Sequence, residues 1–455
     1  MKNIILTSLL VFALIAVSCS GDSEAENEAV LLGEFSIADS VASDSLFGPL
    51  SMVIFSQDTA STAPDTLSYI SIGSDGSFAQ TITFPKRAIY NFKILSGSNE
   101  LVASQILLAN NDTLNMSGSI PGLAQNIDLK SGEYEALDIL NRVDNQYNRV
   151  VSLISRGAVA DSLIGEELNK WANSYWEVYE TYPGSFAADL AFLESVKILN
   201  IINKEKMFSR IEEELPKEFA IGSALNYGTE YVSNVRGLEG AVSYLDSLEQ
   251  LTQIDRTKEL ISRVRISLLY DSAEVKRAKE LTDVYEKQYA NSEEARQWVK
   301  NIRYDLNYLA PGVRAPEFNF ITMDGDTLSN ESLNGRAFVL EITPLAAGEY
   351  QREYDRMIAI HEVYKNYGLE IITVPLDESE VTVEAFYETR GQHWPTAKLG
   401  TFDVQELIQE FNIQQVPTWL LVDQNGEVVK KYVRSEIKDI IQGLGTVFSN
   451  SNDAS

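Results

Sequence analysis

Residues 335–342 read GRAFVLEI, a continuous apolar run. A strand patterned this way is buried on both faces, as in the middle of a parallel sheet. Burying both faces demands a layer above and a layer below, so this run commits the C-terminal part of the chain to an α/β sandwich. The flanking segments supply those layers. PEFNFITMDGDTLSNESL opens with a hairpin around Asp324-Gly325, and EYQREYDRMIAIHEVYKNY has the segregated face of a helix. LEIITVPLD reads as the next parallel strand and VEAFYETRG as a short helix. PTAKLGTF reads as an extended piece and VQELIQEFNI as a helix. VPTWLLVDQNGEVVKKYV turns at Gln424-Asn-Gly426, a strong hairpin signal, and SEIKDIIQGLG closes as a helix.

The chain has 455 residues, which suits two or three domains. Residues 30–130 carry short alternating runs such as LSMVIFSQ and SFAQTITF between polar turns, the pattern of a β-sandwich or small barrel. Residues 131–312 carry apolar residues near period 3.6, enough for six to eight helices, and Pro311-Gly312 ends them. Trp171, Tyr175, Trp176, Tyr179 and Tyr182 crowd one helix; helix–helix packing is the favoured reading over an aromatic ligand groove. The formal net charge of −29, with no basic stripe, excludes nucleic-acid binding, which needs Lys and Arg to displace counterions.

The single cysteine, Cys19, follows a short positive start and a mostly apolar stretch, Ile4 to Val17, too short to span a bilayer. This resembles a bacterial lipoprotein signal, with Ala16 departing from the usual leucine. The resemblance implies removal of residues 1–18 and acylation of Cys19. Several acyl chains, at ~0.8 kcal/mol per buried CH₂, would then hold the protein at the outer membrane, on its periplasmic face or at the cell surface. An ordinary secretory signal with an unrelated cysteine is the alternative. Residues 19–29 read as an acidic tether resembling those of Bacteroidota lipoproteins, and residues 448–455 as a disordered tail. SDGSF and SGEYEAL resemble a β-sandwich domain of unknown function found in such lipoproteins. Nine Asp-(Ser/Thr)-apolar triplets, starting at Asp39, Asp44, Asp58, Asp65, Asp112, Asp161, Asp246, Asp271 and Asp326, resemble an O-glycosylation pattern of exported Bacteroidota proteins.

From 314 to 446 the landmarks APEFNF, LSNESLNGRAFVLEI and FNIQQVPTWLLVDQNGEVV resemble the TlpA/ResA-like branch of the thioredoxin superfamily. The resemblance implies a thioredoxin-like domain, residues 313–447, behind an all-β sandwich and a helical region, a multi-domain α+β chain. In that family the central strand runs into Phe-Trp-Ala-x-Trp-Cys-x-x-Cys at a helix start. On that frame Ile342 takes the phenylalanine, Ala346 the second tryptophan, and Ala347 and Tyr350 the two cysteines; Glu353 falls on a following carboxylate. A thiolate at a helix N-terminus attacks a disulfide and a second thiol resolves it. Alanine does neither, and a phenol with a pKa near ~10 forms no S–S bond.

Other chemistry has few carriers. His361 sits mid-helix as a surface or packing residue, and His393, before Trp394-Pro395, has no nucleophile beside it. Asp324, Asp326 and Glu331 read as turn and cap residues, and no metal-binding or phosphate-binding spacing occurs, so no cofactor is expected. Val416-Pro417-Thr418 matches the family's cis-proline loop, where the residue before proline pairs with an extended peptide. The resemblance therefore marks Tyr350, Trp394, Val416, Pro417 and Thr418, with Trp419 nearby, as candidate peptide contacts. The expectation is a redox-inactive envelope protein that binds protein or peptide. The alternatives are an oxidoreductase by family, or a structural subunit of an outer-membrane assembly.

Overall fold

The computed structural model describes residues 27–42, 47–56 and 65–449. Cys19 and the segment before it lie outside them. Two compact units divide the chain between Tyr231 and Val232. The helical stretch from 131 to 312 is therefore not one body.

The first unit begins with two four-stranded sheets. Strands β1 (Asn27–Ile37), β2 (Leu50–Ser56), β3 (Asp65–Ser71), β4 (Ser77–Phe84), β5 (Ala88–Ser96), β6 (Asn99–Leu108), β7 (Thr113–Ile120) and β8 (Asp128–Lys130) pair as β4-β1-β7-β8 and β3-β2-β5-β6. One turn, α1 (Asp39–Ala42), follows β1, and another, α2 (Leu123–Asn126), precedes β8. Alternation puts Leu31, Phe35, Met52, Ile54, Phe92 and Ile94 into a shared core. Gly33 is required where it stands, because the Phe78 ring lies where a Cβ would be. Residues 27–29, expected in the tether, are strand: Asn27, Glu28 and Ala29 pair with Phe84, Thr83 and Ile82, since Ala29 has a core site to fill.

Helices α3 (Gly132–Ser155), α4 (Asp161–Thr181), α5 (Phe186–Ile202), α6 (Lys204–Glu214) and α7 (Glu218–Ser223) complete that unit, up to Tyr231 in α8 (Thr229–Leu251). Ser131 caps α3 by accepting from the Tyr134 amide. Trp171, Tyr175 and Tyr179 of α4 are buried, with Tyr147 edge-on to Tyr175 at 5.7 Å and Phe192 tilted on Tyr179 at 5.6 Å. These rings pack helix on helix.

The second unit holds α9 (Asp255–Asp271), α10 (Val275–Tyr289) and α11 (Glu293–Tyr304), which ends in a π-turn at Asp305–Leu309. Nine helices, α3 to α11, stand where six to eight were expected. The break at Asn203, inside what reads as continuous periodicity, separates α6 from α5 and supplies the excess.

An α/β sandwich follows. A hairpin of β9 (Asn319–Ile321) and β10 (Thr327–Ser329) leads into β11 (Ala337–Thr343). The remaining strands are β12 (Leu369–Pro375), β13 (Thr418–Val422) and β14 (Val428–Val433). The sheet order is β12-β11-β13-β14, with β11 parallel to β12 and antiparallel to β13. Helices α12 (Gly348–Tyr364), α13 (Glu380–Arg390) and α15 (Ile440–Ser449) cover one face; α14 (Val404–Glu410) and the hairpin cover the other. Residue 448 is not tail, because α15 runs to Ser449 and Phe448 stacks on Tyr364 at 5.5 Å.

Pro311-Gly312 ends the helices as expected, yet it joins rather than separates. Gly312 donates to the Val428 carbonyl and Val428 donates to that of Val313, extending the sheet by one short edge. Beneath it Lys431 Nζ meets Asp305 at 3.1 and 3.2 Å and donates to the Asn412 carbonyl at 2.9 Å. Burial lifts the Asp305 carboxyl and lowers the Lys431 ammonium from their ordinary ranges.

Candidate functional site

Strand β11 is buried at all seven positions. Its alternation sends Phe338, Leu340 and Ile342 toward α14 and sends Ala337, Val339 and residue 341 toward α12 and α13. Residue 341 is glutamate, 0 % exposed. A charge at such a site is costly unless its oxygens are satisfied. Its Oε2 accepts from the Tyr350 hydroxyl at 2.9 Å and from Thr373 Oγ1 at 2.8 Å; its Oε1 accepts from Trp419 Nε1 at 3.0 Å. Trp394 Nε1 donates to Thr373 Oγ1 at 2.7 Å, so Thr373 receives one proton and passes on another. Tyr387 and Thr396 share a hydrogen bond of 2.6 Å alongside.

Each of these donors is neutral, and Glu341 has no cation partner among the described residues. Complete burial pushes its carboxyl up to about 7, while Thr373, Tyr350 and the tryptophans pull it down. Burial and the Glu341 charge hold the Tyr350 phenol well above its usual range, so it stays a donor. The cluster can hold or release a proton near neutrality. Tyr350 is itself 0 % exposed, which closes the cluster to solvent on the α12 side.

The strand-to-helix junction stands directly above. Ala347 is the N-cap of α12 and makes no side-chain capping bond. Tyr350, one turn into the helix, points inward, its ring 5.7 Å from Tyr354 and 5.9 Å from Phe386. The expected peptide contacts must therefore be corrected. Tyr350, Trp394 and Trp419 are core residues, because rings of this size fill the space under α12 and their polar atoms serve the Glu341 cluster. Glu353 lies near Arg356 at 3.5 Å.

The proline loop is different. Val416–Pro417 is a cis peptide. Pro417 is buried, its carbonyl accepting from the Arg434 amide at 2.9 Å; the Arg434 side chain grips Glu349 of α12 at 2.7 and 2.8 Å. Thr418 is also buried, pairs with Ile342 and donates its hydroxyl to the Gln415 carbonyl. It is strand, not surface. Val416 is half-buried against the α14 side, and its main-chain N–H and C=O make no hydrogen bond among the described residues. On the other side of β11, a groove of about 360 Å³ lies between Leu345, Ala346, Gln351 and the Phe386, Thr389, Arg390 face of α13.

The two histidines flank Trp394, with ring centroids at 5.7 Å for His361 and 6.1 Å for His393. Burial lowers the His361 imidazole. Among the described residues no group of three or more His, Cys, Asp or Glu is placed to hold a metal ion, and no helix is long and apolar enough to cross a membrane. Glu341 and Thr373 are the residues that sequence reasoning missed. The signal was available: one carboxylate inside a run otherwise apolar, on the parity that faces the helices.

A family profile described as thioredoxin-like matches residues 348–428. Thiol-disulfide oxidoreductase ResA of Bacillus cereus is 27% identical over 140 residues, 30% of this chain and 79% of that protein. ResA of Halalkalibacterium halodurans is 25% identical over 142 residues, 31% of this chain and 79% of that protein. Among solved structures, the thioredoxin domain of a thiol-disulfide oxidoreductase from Bacteroides vulgatus is 21% identical, covering 30% of this chain and 97% of its own, with a TM-score of 0.28. A thiol:disulfide interchange protein from Bacteroides sp. is 21% identical, covering 31% and 91%, with a TM-score of 0.28. The C-terminal domain of this chain is thioredoxin-like, behind a β-rich region and a helical middle.

Proposed function

We propose that this chain is a lipid-anchored cell-envelope protein whose thioredoxin-like domain performs no thiol exchange and instead docks protein or peptide. The observation that carries this reading is the chemistry of the junction. At the two places where the related oxidoreductases' family carries thiols, this chain has a methyl group, Ala347, and a phenol, Tyr350, already committed to Glu341. The one cysteine of the sequence, Cys19, is far away in the chain and is the proposed lipid site. Docking is supported by Val416, whose unpaired main-chain groups at the end of β13 suit the addition of an extended strand.

Insulin reduction by the purified mature protein tests the first half; the expected turnover is none, and measurable turnover refutes it. Labelling with a radioactive fatty acid tests the anchor, with incorporation lost in Cys19→Ala. A second reading rests on the names of the relatives, which are thiol-disulfide oxidoreductases. It requires a partner that brings both thiols, and turnover appearing only with a co-purified dithiol protein would favour it.

A further inference from the structure

The segment that delivers Val416 is not held by the sandwich alone. Tyr304, at the end of α11, donates its hydroxyl to the Glu410 carbonyl at 3.0 Å. Asn412, left-handed at φ 43°, donates to the Asn301 carbonyl at 3.0 Å and to Asp305 Oδ1 at 2.8 Å. Asn301 Nδ2 donates to Gln414 Oε1 at 2.8 Å, and Gln414 Nε2 to Asn412 Oδ1 at 2.9 Å. One turn back on α11, Gln297 Nε2 donates to Asn301 Oδ1 at 2.9 Å. Four carboxamides thus run in a chain from α11 to the proline loop.

This row is also a surface. Gln297, Gln414 and Gln415 are exposed and Asn301 is half-exposed. Gln297 Oε1 and the whole Gln415 side chain have no hydrogen-bond partner among the described residues. A carboxamide presents a donor and an acceptor in one plane, which matches a main-chain amide. The row carries no charge, although the chain as a whole is at −29. The carboxamides of the row complement the amides of an extended main chain.

We infer that the docking edge continues from Val416 across Gln415 and Gln414 onto Asn301 and Gln297 of α11, and that its occupant is an extended, uncharged segment of another polypeptide. The inference rests on the docking reading above and extends it to a composite of helix and sheet. α11 thereby acts as a positioning element for Val416 and as half of the contact surface.

The test uses the full chain with a benzophenone amino acid placed singly at 297, 414 and 416. The probe is reduced, carbamidomethylated α-lactalbumin, an unfolded polypeptide, in about 0.3 M salt to suppress charge effects. Crosslinks to the probe are expected from all three positions. Gln297→Ala, which removes a side chain hydrogen-bonded only to Asn301 among the described residues, is expected to weaken probe binding about fivefold, the equivalent of one hydrogen bond of about 1 kcal/mol. Gln414→Ala should weaken it at least as much, with amide exchange of 412–418 measured to separate lost contact from a loosened segment. Crosslinks from 416 alone, with Gln297→Ala binding normally, would leave docking standing and overturn the composite edge. Crosslinks from none of the three would overturn both.

Discussion

Replacing Glu341 by glutamine should change the pH dependence of stability more than stability itself. In the folded protein the carboxyl is pushed up to about 7, against an ordinary 4.5, because it is wholly buried. Its folded value lies above its unfolded one, so the contribution of this group is fully present below about 4.5 and is lost as pH rises through 7. The difference of about 2.5 units, at about 1.36 kcal/mol each, gives a loss of about 3 kcal/mol across that window. Glutamine does not titrate, so the loss vanishes. The amide N–H₂ stands where the protonated acid has its hydroxyl, so one of Tyr350, Thr373 or Trp419 meets a donor in either case, and the exchange costs at most about 1 kcal/mol. The variant should therefore be within about 1 kcal/mol of the parent at pH 5, where part of the loss has already occurred, and more stable by about 2 kcal/mol at pH 8. Urea titrations read by pulsed hydrogen exchange on the 337–343 peptide isolate β11 from the rest of the chain. All other titrating groups are common to both proteins and cancel in the difference. Two curves that stay parallel from pH 5 to 8 would show that Glu341 does not change charge there, and the account of the cluster would fail.

Three further outcomes follow from the same contacts. Tyr350→Phe keeps the ring but removes a donor that favours the carboxylate, so the Glu341 titration followed by carboxyl carbon NMR should move upward from about 7, and stability should drop by about 1–2 kcal/mol; a downward move contradicts the assigned bond. Lys431→Met leaves the half-buried Asp305 without its cation and should cost about 2–3 kcal/mol in denaturant melts, with much of that recovered by adding Asp305→Asn. Intact-mass and peptide mass spectrometry of protein from its native envelope should find any glycan on the hydroxyls of the nine triplets, of which Ser40, Thr66, Thr113, Ser162, Ser247, Ser272 and Thr327 are exposed and those after Asp44 and Asp58 lie outside the described residues; a glycan-free protein removes that resemblance from consideration.

The sandwich architecture was readable because its signals are local: GRAFVLEI for a two-faced strand, Asn425-Gly426 for a hairpin, Val416-Pro417 for the loop opposite the junction. The chemistry at the junction was readable as a loss, since Ala347 and Tyr350 identify themselves by residue type. Where Tyr350 points was not readable. Its direction depends on Glu341, nine positions earlier on another element, and on Thr373 across the sheet, and no local pattern links the three. The same holds for the helices. Period 3.6 announces them, yet which helices join which unit depends on long-range partners such as Asp305 and Lys431, 126 residues apart.

That ion pair also limits where the chain can be cut without parting buried partners. A fragment trimmed at Pro311, where sequence conventions would cut, keeps Lys431 and discards Asp305, stranding an ammonium in a site 6 % accessible. It would also leave Asn412 without both of its acceptors and let the segment before Val416 drift. A fragment starting at Val232 retains all of these partners. Peptide binding measured on the shorter piece would describe a severed edge, and a negative result from it would say nothing about the intact protein.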